Sequence, residues 1–182
     1  MTLNDIIVSA LAQLDRGHDA QNLDIWRDKL TRFADEAIID LASVIKPRRT
    51  DTVTVSGKTL DVRTLPRQCV KVLSVKKDDV MLLFKDDSTS SEIFIPALND
   101  TDTVNITYIY IPGTLSSATD EPEIPKWYHG LIVCYVVARE RSSGEVGIQK
   151  GGNIYFQMYE AGKRNIRPHL GSIENYKLLN RW

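Results

Sequence analysis

The residues of this 182-residue chain with chemistry to offer are three histidines, two cysteines, a run of carboxylates and a glycine-rich stretch. His18, His129 and His169 each stand without a second His or Cys at metal-ligand spacing, so no zinc site is expected. His129 is expected on a helix surface or at an interface. Asp35, Glu36 and Asp40 resemble a carboxylate cluster, and Glu36 and Asp40 share a helix face. Lys and Arg are interspersed, so the expectation is a solvated acidic face and not an acid–base pair in a perturbed environment. Cys69 and Cys134 sit among apolar neighbours with no activating His, and read as buried free thiols. Gly144-x-x-Gly147 and Gly151-Gly152-Asn153 suggest a phosphate loop. Yet no strand leads into them and no Gly-Lys-Ser/Thr follows, so a loop and a helix start explain them. There is no Gly-x-Ser-x-Gly elbow. The chain reads as a non-enzyme with no metal and no cofactor.

Charge narrows the field further. The formal net charge is −1, which disfavours a general nucleic-acid binder, because such proteins displace counterions with excess Lys and Arg. The charge is also polarised. Residues 1–46 hold eight acids against five bases, whereas residues 163–182 hold five bases against the single Glu174. That asymmetry suits head-to-tail contact between subunits, or a basic tail reaching an acidic partner. Aromatic and basic residues near the C-terminal end offer an alternative, stacking on single-stranded nucleic acid. Helical spacing of Tyr155, Met158 and Tyr159 favours packing instead. The longest apolar run, residues 131–138, is far below the ~20 residues that span a bilayer, so no membrane partner is expected. Asn4 and Asp5 interrupt the first apolar residues, which argues against a signal peptide and for synthesis in a cytoplasm.

The elements that would hold these residues follow from periodicity. Thr2 and Asp5 form a capping box for a first helix whose Leu3, Ile6, Ile7, Ala10, Leu11 and Leu14 share a face, with Gly17 ending it. Asn22 is the expected N-cap of a second helix over residues 23–45, stopped by Pro47. The period then changes to two. Residues 53–55 and 60–62 flank Ser56-Gly57-Lys58 and predict a β-hairpin. Further strands are expected over 70–75, 80–84, 92–95 and 104–111. Val104, Ile106, Tyr108 and Tyr110 lie on one face of the last, Ile109 and Ile111 on the other. Short links make the sheet antiparallel. A third helix should begin near Pro125, with Trp127, Leu131, Ile132, Cys134, Tyr135 and Ala138 inward and Arg139, Glu140 and Arg141 exposed. Asn153 should cap a fourth helix that ends before Pro168. The result is a single α+β domain over 1–182: a four-helix bundle of residues 2–46 and 123–167, an inserted antiparallel sheet or small barrel over 50–112, and an extended tail over 168–182.

This order resembles the head-to-tail adaptor, or connector, proteins of tailed bacteriophages. Leu65-Pro66-Arg67-Gln68-Cys69-Val70-Lys71-Val72-Leu73-Ser74-Val75 is similar to the Leu-Pro and apolar strand that follow the first hairpin in those adaptors. Tyr108-Ile109-Tyr110-Ile111-Pro112 is similar to their last strand, which ends in proline. Ile124-Pro125-Lys126-Trp127-Tyr128-His129-Gly130-Leu131-Ile132 resembles their proline and aromatic helix start. The resemblance covers most of residues 3–168. It implies a structural virion protein at the head–tail interface, a homo-oligomeric ring of twelve copies between the portal protein and a tail or nozzle protein. Genomic DNA would pass through the lumen without sequence-specific binding. It further implies that the C-terminal segment docks on the portal, through Lys163, Arg164, Arg167, His169, Tyr176, Leu178, Leu179, Arg181 and Trp182. A tail-completion or tail-terminator virion protein, and a small nucleic-acid-binding module, are the alternative readings.

Overall fold

A computed structural model describes residues 1–17, 19–86, 91–99, 101–143 and 153–167. Among these residues the chain is α+β, with four α-helices and seven β-strands. Helix α1 spans Leu3–Gln13, and its Thr2–Asp5 capping box forms as expected. It ends earlier than Gly17, because Asp15 takes the left-handed conformation at φ 54°. Helix α2 spans Ala20–Ile45. Asp19, not Asn22, is its N-cap, and the Asp19 carboxylate accepts the Asn22 backbone N–H at 3.0 Å. Lys46 turns left-handed at φ 54° and Pro47 follows, which closes the helix.

The middle of the chain builds two antiparallel sheets. Strands β1 (Arg48–Ser56), β7 (Thr101–Tyr110), β3 (Cys69–Lys77) and β4 (Val80–Leu82) lie in that order in one. Strands β2 (Thr59–Asp61), β6 (Glu92–Phe94) and β5 (Lys85–Asp86) form the other. The expected hairpin of residues 53–62 is therefore not one: Gly57, at φ 82°, reverses the chain, but β1 pairs with β7 and β2 with β6. Long-range pairing overrode the local turn signal because β7 offers β1 a nine-residue register, Arg48 opposite Ile109 to Ser56 opposite Thr101. A tight hairpin does form between β3 and β4, where Asp78 and Asp79 both adopt positive φ in a two-residue loop. Both sheets are open, so no small barrel forms among the described residues.

Two separate apolar cores result. Leu3, Ile7 and Leu11 of α1 pack with Leu30, Ile38 and Leu41 of α2, Ile132 and Val136 of α3 (His129–Ser143), and Tyr159 of α4 (Ile154–Arg164). Val75, Ile106 and Tyr108 pack with Leu60 and Ile93 from the second sheet, Ile95 and Leu98. Each fully buried Leu or Ile contributes about 1.5–3 kcal/mol to its core. On α3 the apolar face is wider than the sequence stripe, because Val133, Val136 and Val137 are buried while Trp127 is 75% exposed in the preceding 3-10 turn Lys126–Tyr128. Both cysteines are free and half-buried, and burial pushes both thiols up.

Helix α4 docks closely on α3. A Cβ added at Gly162 would overlap the Leu131 isopropyl group. Asn153 caps α4 through its side-chain oxygen, 3.2 Å from the Phe156 N–H, and its amide donates to Ala138 O at 2.9 Å, which ties the helix start to α3. Replacing Gly162 with Val should overpack this contact and destabilise the chain by about 1–3 kcal/mol in chemical denaturation. Gly162→Ala should cost less, since Leu131 can turn its side chain away.

Candidate assembly surfaces

The acidic run of α2 is a partly solvated face, with Glu36 exposed and Asp35 and Asp40 half-buried, but each carboxylate is engaged. Asp35 accepts the Leu115 backbone N–H at 3.0 Å. Glu36 accepts Tyr135 Oη and Arg139 Nε from α3, each at 3.2 Å. Asp40 accepts the Tyr159 hydroxyl of α4 and Lys163 Nζ at 2.6 and 2.7 Å. Glu36 and Asp40, one turn apart, form a polar seam that aligns α3 and α4 on α2. Burial raises the Tyr159 hydroxyl well above its ordinary value, and the Asp40 charge adds to that. The hydroxyl therefore stays a donor to Asp40 and no nucleophile is created.

Two other side chains depart from expectation in the same way. Glu140 is not exposed: its side chain is 5% accessible and pairs with Arg16 at 3.0 Å and Lys29 at 2.7 Å. Burying a carboxylate requires such partners, and they come from α1's exit and from α2, segments that periodicity does not connect to residue 140. The Arg16 guanidinium also lies 3.7 Å over the Trp26 ring. His129 is likewise internal, 1% exposed, with Nε2 3.1 Å from Ile124 O and Nδ1 3.1 Å from the Met1 amine. Burial lowers its pKa, so the neutral ring is favoured.

The residues expected at a portal contact divide in two. Lys163 is held by Asp40, whereas Arg164 and Arg167 are exposed. Lys163 and Arg164 also occupy the last turn of α4, where cations complement the helix dipole. His169, Tyr176, Leu178, Leu179, Arg181 and Trp182 lie outside the described residues, as do the glycines of 144–152.

The two cores meet at one junction. Arg67, after Leu65-Pro66, places its Nε 3.1 Å from both carboxylate oxygens of Glu123, and a second guanidinium nitrogen completes the ion pair. Tyr110 Oη donates to Glu123 O at 3.2 Å, and the Gly113 N–H approaches Glu123 Oε2 at 3.5 Å. Ile111 N donates to Gln68 O at 3.0 Å, and Tyr110 N to Pro47 O at 3.2 Å. Beside this junction lies an apolar groove of about 420 Å³ between α2 and the sheet, lined by Ile39, Ala42, Val70, Ile109 and Ile111 and rimmed by Lys46 and Lys71. Ile109 of β7 and Ile111 just past its end are thus only partly covered. A bulge in β3, with Cys69 opposite Tyr110 and Lys71 opposite Ile109, leaves Val70 unpaired and 60% exposed.

Among the described residues no group of His, Cys, Asp and Glu could hold a metal ion, and no helix is long and apolar enough to cross a membrane. No family model matches the chain. No curated protein matches it. Among solved structures, it is similar to a chain of the neck of an empty GTA particle computed with C6 symmetry, at 14% identity over 91% of each chain with a TM-score of 0.37. A TM-score below 0.5 does not define a shared fold, so function has to be read from this chain's own residues.

Two outcomes follow from this geometry. Asp40→Ala leaves the buried Tyr159 hydroxyl and Lys163 without their acceptor, and should cost about 1–3 kcal/mol in denaturant titration. At the junction, the hydrogen bonds from Arg67 hold the Glu123 carboxyl below its ordinary value. A carboxyl depressed on folding contributes stability that is complete above its unfolded pKa, and that is lost as pH falls through the folded one. Acid unfolding of Arg67→Ala should accordingly begin at higher pH than that of the wild type, with the two curves differing by a constant amount above about pH 6.

Proposed function

We propose that this chain is a head-to-tail adaptor of a phage-like particle: a structural subunit that forms a ring between portal and tail and extends the DNA channel. One observation carries the reading. Of the three segments that resemble the adaptor family, 65–75 is far in sequence from 108–112 and 124–132, yet it meets them at the Glu123 junction, through Arg67, Tyr110 and the turn that holds Ile124. A resemblance made of unrelated fragments would have no reason to assemble into one joint between a helical unit and a sheet. The side chains with chemical potential support it too, because among the described residues Asp40, Glu140 and His129 each satisfy a partner within the fold. In this reading Arg164, Arg167 and the segment after them reach toward the portal, and a chain of net charge −1 lets DNA pass without gripping it. Twelve copies and a tail or nozzle protein as second partner belong to the same proposal.

Purified chain mixed with its cognate portal should give a two-layered ring by negative-stain electron microscopy. Arg164→Glu with Arg167→Glu should reduce the decorated fraction without altering the fold by circular dichroism. A chain that leaves the portal bare across a range of salt concentrations would overturn the adaptor reading.

A further inference from the structure

The β3–β4 hairpin ends in an exposed knob. Val80 is 63% exposed, Met81 45% and Leu83 88%, although Leu82 and Phe84 pack on the sheet core. Along β4 alternation puts Met81 on the face opposite Val80 and Leu82, and Leu83 and Phe84 follow the strand's end. Asp78 and Asp79 stand at the tip, exposed and with no ion pair among the described residues. The apolar groove beside the junction is the counterpart. Ile39 and Val70 are 51% and 60% exposed there, and Lys46 and Lys71 at the rim are likewise exposed without an ion-pair partner among the described residues. The knob is therefore apolar with two acids, unpaired among the described residues, at its tip, since Lys77, opposite Val80, is held by Asp102 and Lys76, opposite Met81, is also engaged; the groove is apolar and flanked by bases.

The chain cannot satisfy itself. Val70 and Lys71 begin β3 and the tip follows its end, and the strand is nine residues long. At roughly 3.3 Å per residue the two surfaces lie about 25 Å apart along a strand held between β7 and β4. We propose that the occupant of the groove is a second copy: the Asp78–Leu83 knob of one subunit seats between α2 and the start of β3, beside the end of β7, in the next. Lys46 and Lys71 then face Asp78 and Asp79, and Met81 and Leu83 meet Ile39, Val70 and Ile111. Because the two patches differ, the contact is heterologous, and repetition closes a ring where the rotation per subunit allows it. The inference rests on the adaptor reading only in taking the assembled form to be a ring.

Sedimentation velocity on the intact chain separates the possibilities. Wild type, raised to about 1 mM, should populate species beyond the dimer. Met81→Lys at the knob and Ile39→Lys in the groove, both at exposed positions, should each weaken association by about tenfold or more. A 1:1 mixture of these two variants should stop at a dimer, since only one intact knob and one intact groove remain per pair. Lys71→Glu and Asp79→Lys repeat the test on charge alone: each should weaken association, and the double variant should restore it. A wild type that stays monomeric throughout, variants that assemble like the wild type, or a mixture that gives no dimer or grows past it, would overturn the proposal. So would a groove variant that loses only portal binding. Variants that still build the ring on a portal would sink the knob-and-groove contact and leave the adaptor reading intact, whereas knob-to-groove dimers from a chain that ignores the portal would do the reverse.

Discussion

The ion pair between Arg67 and Glu123 joins two bodies that each have their own apolar core. Neither core reaches into the other, so the angle between helices and sheet is set by a small number of polar contacts: this pair, the Tyr110 hydroxyl on Glu123 O, and the backbone bonds from Tyr110 to Pro47 and from Ile111 to Gln68. An exposed ion pair alone is worth about 0–1 kcal/mol. Here the geometry is two-pronged and part-buried, and backbone groups on the same loop lock the same register. The result is a joint specified by direction more than by strength, as hydrogen bonds are and apolar contacts are not.

That joint explains why the surfaces proposed for assembly lie where they do. The groove is the cleft left where α2 meets the sheet beside the junction, and the β3–β4 knob is carried away from it by the length of one strand. On the helical side, the seam of Asp40, Tyr159 and Lys163 fixes α4, so that Arg164 and Arg167 leave the molecule in a defined direction. Rigid presentation of separated patches suits a subunit whose contacts are individually weak and become strong when a ring closes.

The sequence revealed the elements better than their partners. The Thr2–Asp5 box, the Asn153 cap and the β7 alternation are local signals, and each appears where periodicity and side-chain chemistry place it. The Ser56-Gly57-Lys58 turn was misleading, because strand pairing is decided by cross-strand partners tens of residues away. Glu140 and His129 look like surface residues from their type alone. Their burial depends on Arg16, Lys29 and Ile124, whose proximity is a property of the tertiary fold. The groove has no sequence signature, since it arises from a bulge at Val70 and from the position of α2 over β7. Charge polarity between the chain's ends was visible, but the described structure already uses Lys163 internally.

The proposed adaptor role requires this chain to occupy a ring between two different partners, and a cryo-electron microscopy map of the neck of an intact particle tests that directly. The expected map shows copies of this chain as one closed layer, the α4 end against the portal and the opposite side against the tail. A map in which the layer beneath the portal is built from another protein, with this chain elsewhere or absent, would contradict it.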